Sequence, residues 1–158
     1  ARRCSPVRGG GGQLRLRVKE RLPLWIAAFW WGSLTTVGFV VVPMLFANLP
    51  TPAMAGTMAA KLFTAQTWVA MACGLLLLMY SQGNSALPHA VHARAALFFV
   101  VSGMMLALLS EFAVAPKIVA RENLALWHSV GTLMYALQWV CSALSFWKLM
   151  PTPNHGQV

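Results

Sequence analysis

The chain has 158 residues, enough for one domain, and is 58% hydrophobic but only 9% charged, against about 25% charged residues in a soluble domain. Several apolar runs reach about 20 residues, the length that crosses a hydrocarbon core; a soluble fold is excluded, because there is too little polar surface to cover them all. The formal net charge of +9 is concentrated ahead of the first apolar run, in Arg2, Arg3, Arg8, Arg15, Arg17, Lys19 and Arg21. Beside a membrane span such a tail reads as a topology signal facing the cytoplasm and its anionic lipids, not as a nucleic-acid-binding arm.

The expected fold class is all-α: a polytopic membrane protein, a four-transmembrane-helix bundle of two helical hairpins over residues 22–148. A basic cytoplasmic tail without regular structure (1–21) precedes it, and a short polar tail (149–158) follows. Arg-rich sequence and then Gly9 to Gly12 mark residues 1 to about 13 as irregular. With no methionine at its start, the tail reads as upstream sequence, the natural start falling near Val18. No signal peptide is expected, because the first apolar run is too long and no cleavage site leads into a soluble domain.

Helix 1 is predicted from about Leu22 to Leu45. Pro23 falls in its first turn, where proline is tolerated, and Trp25, Trp30 and Trp31 are expected as interfacial anchors. Gly32 and Thr36 share a face that would let another helix come close. Pro43 cannot donate a backbone hydrogen bond, so it should free the carbonyl of Phe39 and kink or end the helix. Thr51 before Pro52 is an N-cap followed by proline at the first helical position. Helix 2 should therefore run from Ala53 to about Tyr80, longer than a membrane requires, with its first turns up to Lys61 projecting or lying at the surface. The Met54/Met58 pair there reads as packing rather than soft-metal capture.

His89 and His92, in the following loop, lack a nearby third ligand and read as solvated residues. Helix 3 is expected from about Ala93 to Val114, stopped by Pro116. Its small residues Gly103 and Ala107 share a stripe with Glu111, which should turn the carboxylate into the bundle. Helix 4 is expected from about Leu124 to Trp147, with a polar stripe of His128, Gly131, Tyr135, Gln138 and Ser142. Helices 1 and 3 both end in F-x-V-x-P (Phe39–Pro43 and Phe112–Pro116), the mark of a weak parallel repeat of two hairpins. Basic residues set the orientation. The tail, Arg94 and Lys148 fall on one side and Lys61, Lys117 and Arg121 on the other. Both termini are thus expected in the cytoplasm, with the chain in the cytoplasmic (inner) membrane.

Under that topology Lys61, Gln66, Glu111, Lys117, Arg121, Glu122 and His128 gather at the outer ends of helices 2, 3 and 4. An ionised carboxylate below the interface needs a partner, and Lys61, His128, Lys117 and Arg121 are the candidates. The arrangement reads either as a structural polar knot or as a site for proton or cation handling by Glu111 and His128. Catalysis has little support. The chain contains no aspartate, which rules out a Ser-His-Asp triad, and zinc-protease and phosphate-loop motifs are missing. Cys4, Cys73 and Cys141 show no metal-ligand spacing and no disulfide framework. No cofactor or metal is expected. The function expected is that of an accessory or structural membrane protein partnered by the lipid bilayer and by a second copy or another membrane protein. The alternative is a small transport or permeation component using Glu111, His128 and Lys61; a haem- or metal-binding role ranks last.

Gly38-Phe-Val-Val-Val-Pro-Met-Leu-Phe46, then Leu49-Pro50, Gly56 and Lys61-Leu-Phe63, resembles the first-hairpin pattern of the transmembrane-protein-205-like family (domain of unknown function 4149). Glu111, Pro116-Lys117, Arg121-Glu122 and His128 resemble its second hairpin. The resemblance covers about Leu24 to Trp147 and implies a four-helix integral membrane domain, with no catalytic residues to carry over. The loop between helices 3 and 4 is much shorter here than in eukaryotic relatives, so any function built on that loop is not implied.

Overall fold

The structure is a computed structural model that describes residues 10–83, 90–120 and 123–150. Cys4, His89, Arg121, Glu122 and the tail 151–158 lie outside the described residues. Regular structure among those described is all helical, arranged as four long helices. Helix 1 spans residues 10–48, helix 2 Pro52–Gly83, helix 3 residues 90–119 and helix 4 Leu124–Leu149. Three of them are long and apolar enough to cross a membrane, over Arg21–Asn48, Pro52–Ser81 and Ala95–Ile118. Helix 4 has the length, 26 residues, but its polar stripe dilutes its apolar character.

Helix 1 begins at Gly10, so the segment expected to be irregular as far as residue 21 is helical from residue 10 on. Leu14, Arg15, Leu16, Arg17, Lys19 and Glu20 are adequate helix formers, and they extend a helix already nucleated by the apolar run behind them. Pro23 consequently lies inside the helix and not in its first turn.

The prolines Pro43 and Pro116 do not stop their helices. Each follows a five-residue π-helical segment, Val37–Val41 in helix 1 and Ser110–Val114 in helix 3. In these segments the amide of Val42 bonds the carbonyl of Val37, and that of Ala115 bonds Ser110, five residues back. The slip of register accommodates a residue that lacks an N–H, and helix resumes as Val42–Asn48 and Ala115–Val119. The two F-x-V-x-P segments thus share backbone form as well as sequence. Pro43 brings no donor to Gly38 or Phe39, the acceptors in π and α register; Pro116 brings none to Glu111 or Phe112.

Helix 2 starts as its sequence predicts. The Thr51 hydroxyl accepts from the Met54 amide (3.3 Å) and the Thr51 carbonyl from the Ala55 amide (3.2 Å), a side-chain cap with Pro52 at the first position. Helix 4 is entered through Asn123 in the left-handed region (φ 40°), a conformation that a short polar side chain tolerates. Its carbonyl then takes the amides of Leu126 and Trp127.

The helices form a square in which each packs on two neighbours, with helix 4 most extensively on helix 3. Helices 1 and 3 face across one diagonal and helices 2 and 4 across the other. The interior is built from small and apolar residues, Ala27, Ala70, Cys73, Ala96, Ala107, Leu34, Val100 and Met104, around the fully buried Trp30. Trp30 was expected at an interface; it fits inside because helix 3 offers Gly103 opposite it, where a Cβ would lie 2.9 Å from the indole. Gly74 makes the same allowance for Met104. Gly32 does not admit a neighbouring helix, since a Cβ there would meet nothing within 4 Å.

Candidate functional site

Two ends of the bundle differ in chemistry. The end bearing the start of helix 1 carries Arg15, Arg17, Lys19 and Arg21; we call it the basic end. The opposite, turn end holds the 49–51 turn and the entry to helix 4. Toward the turn end, a polar layer draws a side chain from every helix.

In that layer helix 1 supplies hydroxyls, and helices 2 and 4 supply the donors that reach them. The Gln66 side-chain amide donates to Ser33 Oγ (2.9 Å), and Ser33 donates to the carbonyl of Trp30 (2.8 Å). The Trp139 indole N–H donates to Thr35 Oγ1 (2.9 Å), which donates to the carbonyl of Trp31 (2.8 Å). The Tyr135 hydroxyl donates to the carbonyl of Leu34 (2.7 Å). Its ring lies against Gly38, where a Cβ would stand 2.5 Å from Cε1. The same ring meets Phe63 of helix 2 edge-on at 5.2 Å, bridging the diagonal.

Glu111 lies on the first turn of the π segment of helix 3 and is half-buried. Its Oε1 accepts a hydrogen bond from the Thr64 hydroxyl of helix 2 at 2.9 Å. Of the other residues singled out in the sequence, Lys61, Lys117 and His128 have exposed side chains. Gln66 is buried, but its amide turns toward helix 1 and not toward Glu111. The polar stripe of helix 4 goes inward at Gln138 and Ser142 and leaves the bundle at His128.

Thr64, the partner of Glu111, was not singled out in the sequence. The signal for it is depth: Thr64 lies 19 residues before Gly83 and Glu111 21 residues after Ala90. At 1.5 Å per residue those depths agree to about 3 Å. A threonine inside an apolar helix gives no other sign, because its hydroxyl can always bond its own backbone.

The cluster can order a carboxylate between helices 2 and 3, on a π segment that Pro116 follows. Among the described residues, no three His, Cys, Asp or Glu side chains come together as a metal site. Around the layer the bundle is apolar: Phe39, Phe112, Trp68, Leu133 and Leu137 all face outward.

No curated protein and no solved structure matches this chain. A family match covers residues 25–125, which takes in helices 1, 2 and 3 from Trp25 on and ends as helix 4 begins. That is more than half the chain, and it includes both π segments, Thr64 and Glu111. The protein therefore belongs to the family described as Domain of unknown function (DUF4149).

Proposed function

We propose that the protein is a four-span integral protein of the cytoplasmic membrane, with both termini in the cytoplasm, that serves as an accessory or structural component acting through its helix faces. In this reading helix 4 is the fourth span, its polar stripe turned inward. The observation that carries it is an apolar, aromatic exterior around a bundle that keeps polar side chains inside. Gln66, Thr67, Gln138, Ser142 and Ser145 are buried, while Trp25, Phe29, Phe98, Phe112 and Trp147 stand outside. Polar side chains inside and aromatic ones outside suit a lipid surround, where interhelical hydrogen bonds and small residues hold helices together. Bonds from Gln66 to Ser33, Thr64 to Glu111, Tyr135 to Leu34 and Trp139 to Thr35 tie helix to helix, and Lys61 and His128 point away into exposed positions, so the cluster serves cohesion. No reaction is assigned to it. The family likeness to transmembrane-protein-205-like proteins, read on Gly38–Phe46 and Lys61–Phe63, agrees with a four-helix membrane domain. Purification in mild detergent tests the reading: a defined oligomer or a stoichiometric membrane-protein partner is expected, and a solitary monomer contradicts it.

A second reading rests on one observation, the carboxylate of Glu111 held inside the bundle by Thr64 beside a π segment. Ionisable groups within spans mark ion or proton paths, and π segments recur at functional sites. As a transport component, the protein in proteoliposomes would conduct a proton or cation flux that falls at least tenfold in Glu111→Gln. Unchanged flux in a folded variant removes this reading.

A further inference from the structure

The outer face between helices 1 and 2 carries a groove of about 380 Å³, walled by Trp25, Ile26 and Phe29 on one side and Ala72, Cys73 and Leu76 on the other. Ala72 and Cys73 are small and leave room beside the large aromatic rings of Trp25 and Phe29. Its wall offers no charge. Its helix 1 wall spans Trp25 to Phe29, and one turn nearer the basic end the same stripe carries a charge. Arg21, Trp25 and Phe29 recur every four residues and so lie toward one face of a continuous helix. Helix 1 is unbroken from Gly10 to Thr36, so this register holds across the whole stripe. Arg21 is exposed, one turn beyond the groove's mouth.

From this juxtaposition we infer that the groove is a binding site for an anionic phospholipid, one acyl chain lying between helices 1 and 2 and the phosphate drawn to Arg21. The chemistry is complementary at both ends. An apolar groove between two membrane-spanning helices takes an acyl chain, and a guanidinium group pairs with phosphate in two-pronged fashion. A second copy of this chain is a poorer occupant. In the same membrane orientation it would bring its own Arg21 to the same depth and set like charges side by side. The inference rests on the membrane reading above and adds to it a named lipid class and a named face.

The test uses the full chain in mild detergent, with phosphatidylglycerol or phosphatidylcholine of identical acyl chains added and binding read by native mass spectrometry and by melting temperature. Phosphatidylglycerol is expected to be retained at least fivefold more than phosphatidylcholine and to raise the melting temperature. Arg21→Gln should abolish the headgroup preference while weak retention of both lipids persists. Ala72→Leu, which fills the groove floor, should cut retention of both lipids. Should Ala72→Leu fold poorly, the arginine variant and 0.5 M salt, expected to abolish the preference through screening at about 4–5 Å, keep the test decisive. Equal retention of the two lipids by the wild type overturns the inference. So does unchanged phosphatidylglycerol binding in both variants, or disulfide cross-linking between copies through Ala72→Cys, which would assign the face to a second copy. A protein that stays folded and monodisperse without detergent or lipid would instead overturn the membrane reading itself.

Discussion

At the scale of single residues, the bundle depends on where glycine meets a large side chain. Gly38 is the sharpest case, since a Cβ would stand 2.5 Å from the Tyr135 ring and 3.2 Å from its hydroxyl. Gly38→Ala should displace Tyr135, strain its bond to the Leu34 carbonyl and lower stability by about 1–3 kcal/mol. Gly32→Ala, with nothing within 4 Å, should be neutral or stabilising by less than about 1 kcal/mol. Unfolding titrations in detergent measure both, and equal losses would show that space at Gly38 is not the cause. Sequence reasoning picked Gly32 because it lies four residues from Thr36. Spacing alone identifies a face but not which neighbour lies opposite, and Tyr135 is 97 residues further along the chain. Trp30 was misplaced for the same reason: an aromatic near a span end suits an interface, and only the hole at Gly103 shows that it goes inside.

At the scale of elements, boundaries set by local chemistry were legible and those set by cooperativity were not. The Thr51–Pro52 start of helix 2 follows from side-chain capping, and the Leu124 start of helix 4 from the turn-forming Asn123 before it. Thr51→Ala should cost about 1 kcal/mol and Thr51→Ser almost nothing; amide exchange across 53–57, faster only in the alanine variant, reads this directly. The start of helix 1 was missed because an arginine- and glycine-rich segment looks irregular in isolation, yet its residues 10–21 are carried by the helix behind them. The sequence reads Pro43 and Pro116 as helix kinks, with Pro116 also a stop. Both π segments absorb them, and the shared F-x-V-x-P spacing, which looked weak as five apolar residues, marks the same backbone device in two hairpins. Of the polar cluster, the depth of Glu111 was legible and its partner was not. The sequence directs attention to charged residues, whereas the carboxylate is met by the hydroxyl of Thr64.

For the whole molecule, composition decided the class: an all-helical bundle with a large apolar exterior. It did not settle the number of crossings, because helix 4 carries His128, Thr132, Tyr135, Gln138, Ser142 and Ser145 on a helix of spanning length. The account makes helix 4 a full span, its buried Gln138, Ser142 and Ser145 facing helices 1 and 3. The measurement that tests this most directly is the side of the membrane reached by each end, read from reporter fusions after Pro50, Leu87, Asn123 and Met150. Four spans predict that fusions after Leu87 and Met150 report the cytoplasm and those after Pro50 and Asn123 the opposite side. A fusion after Met150 on the same side as one after Asn123 would mean that helix 4 does not cross, and it would contradict the account.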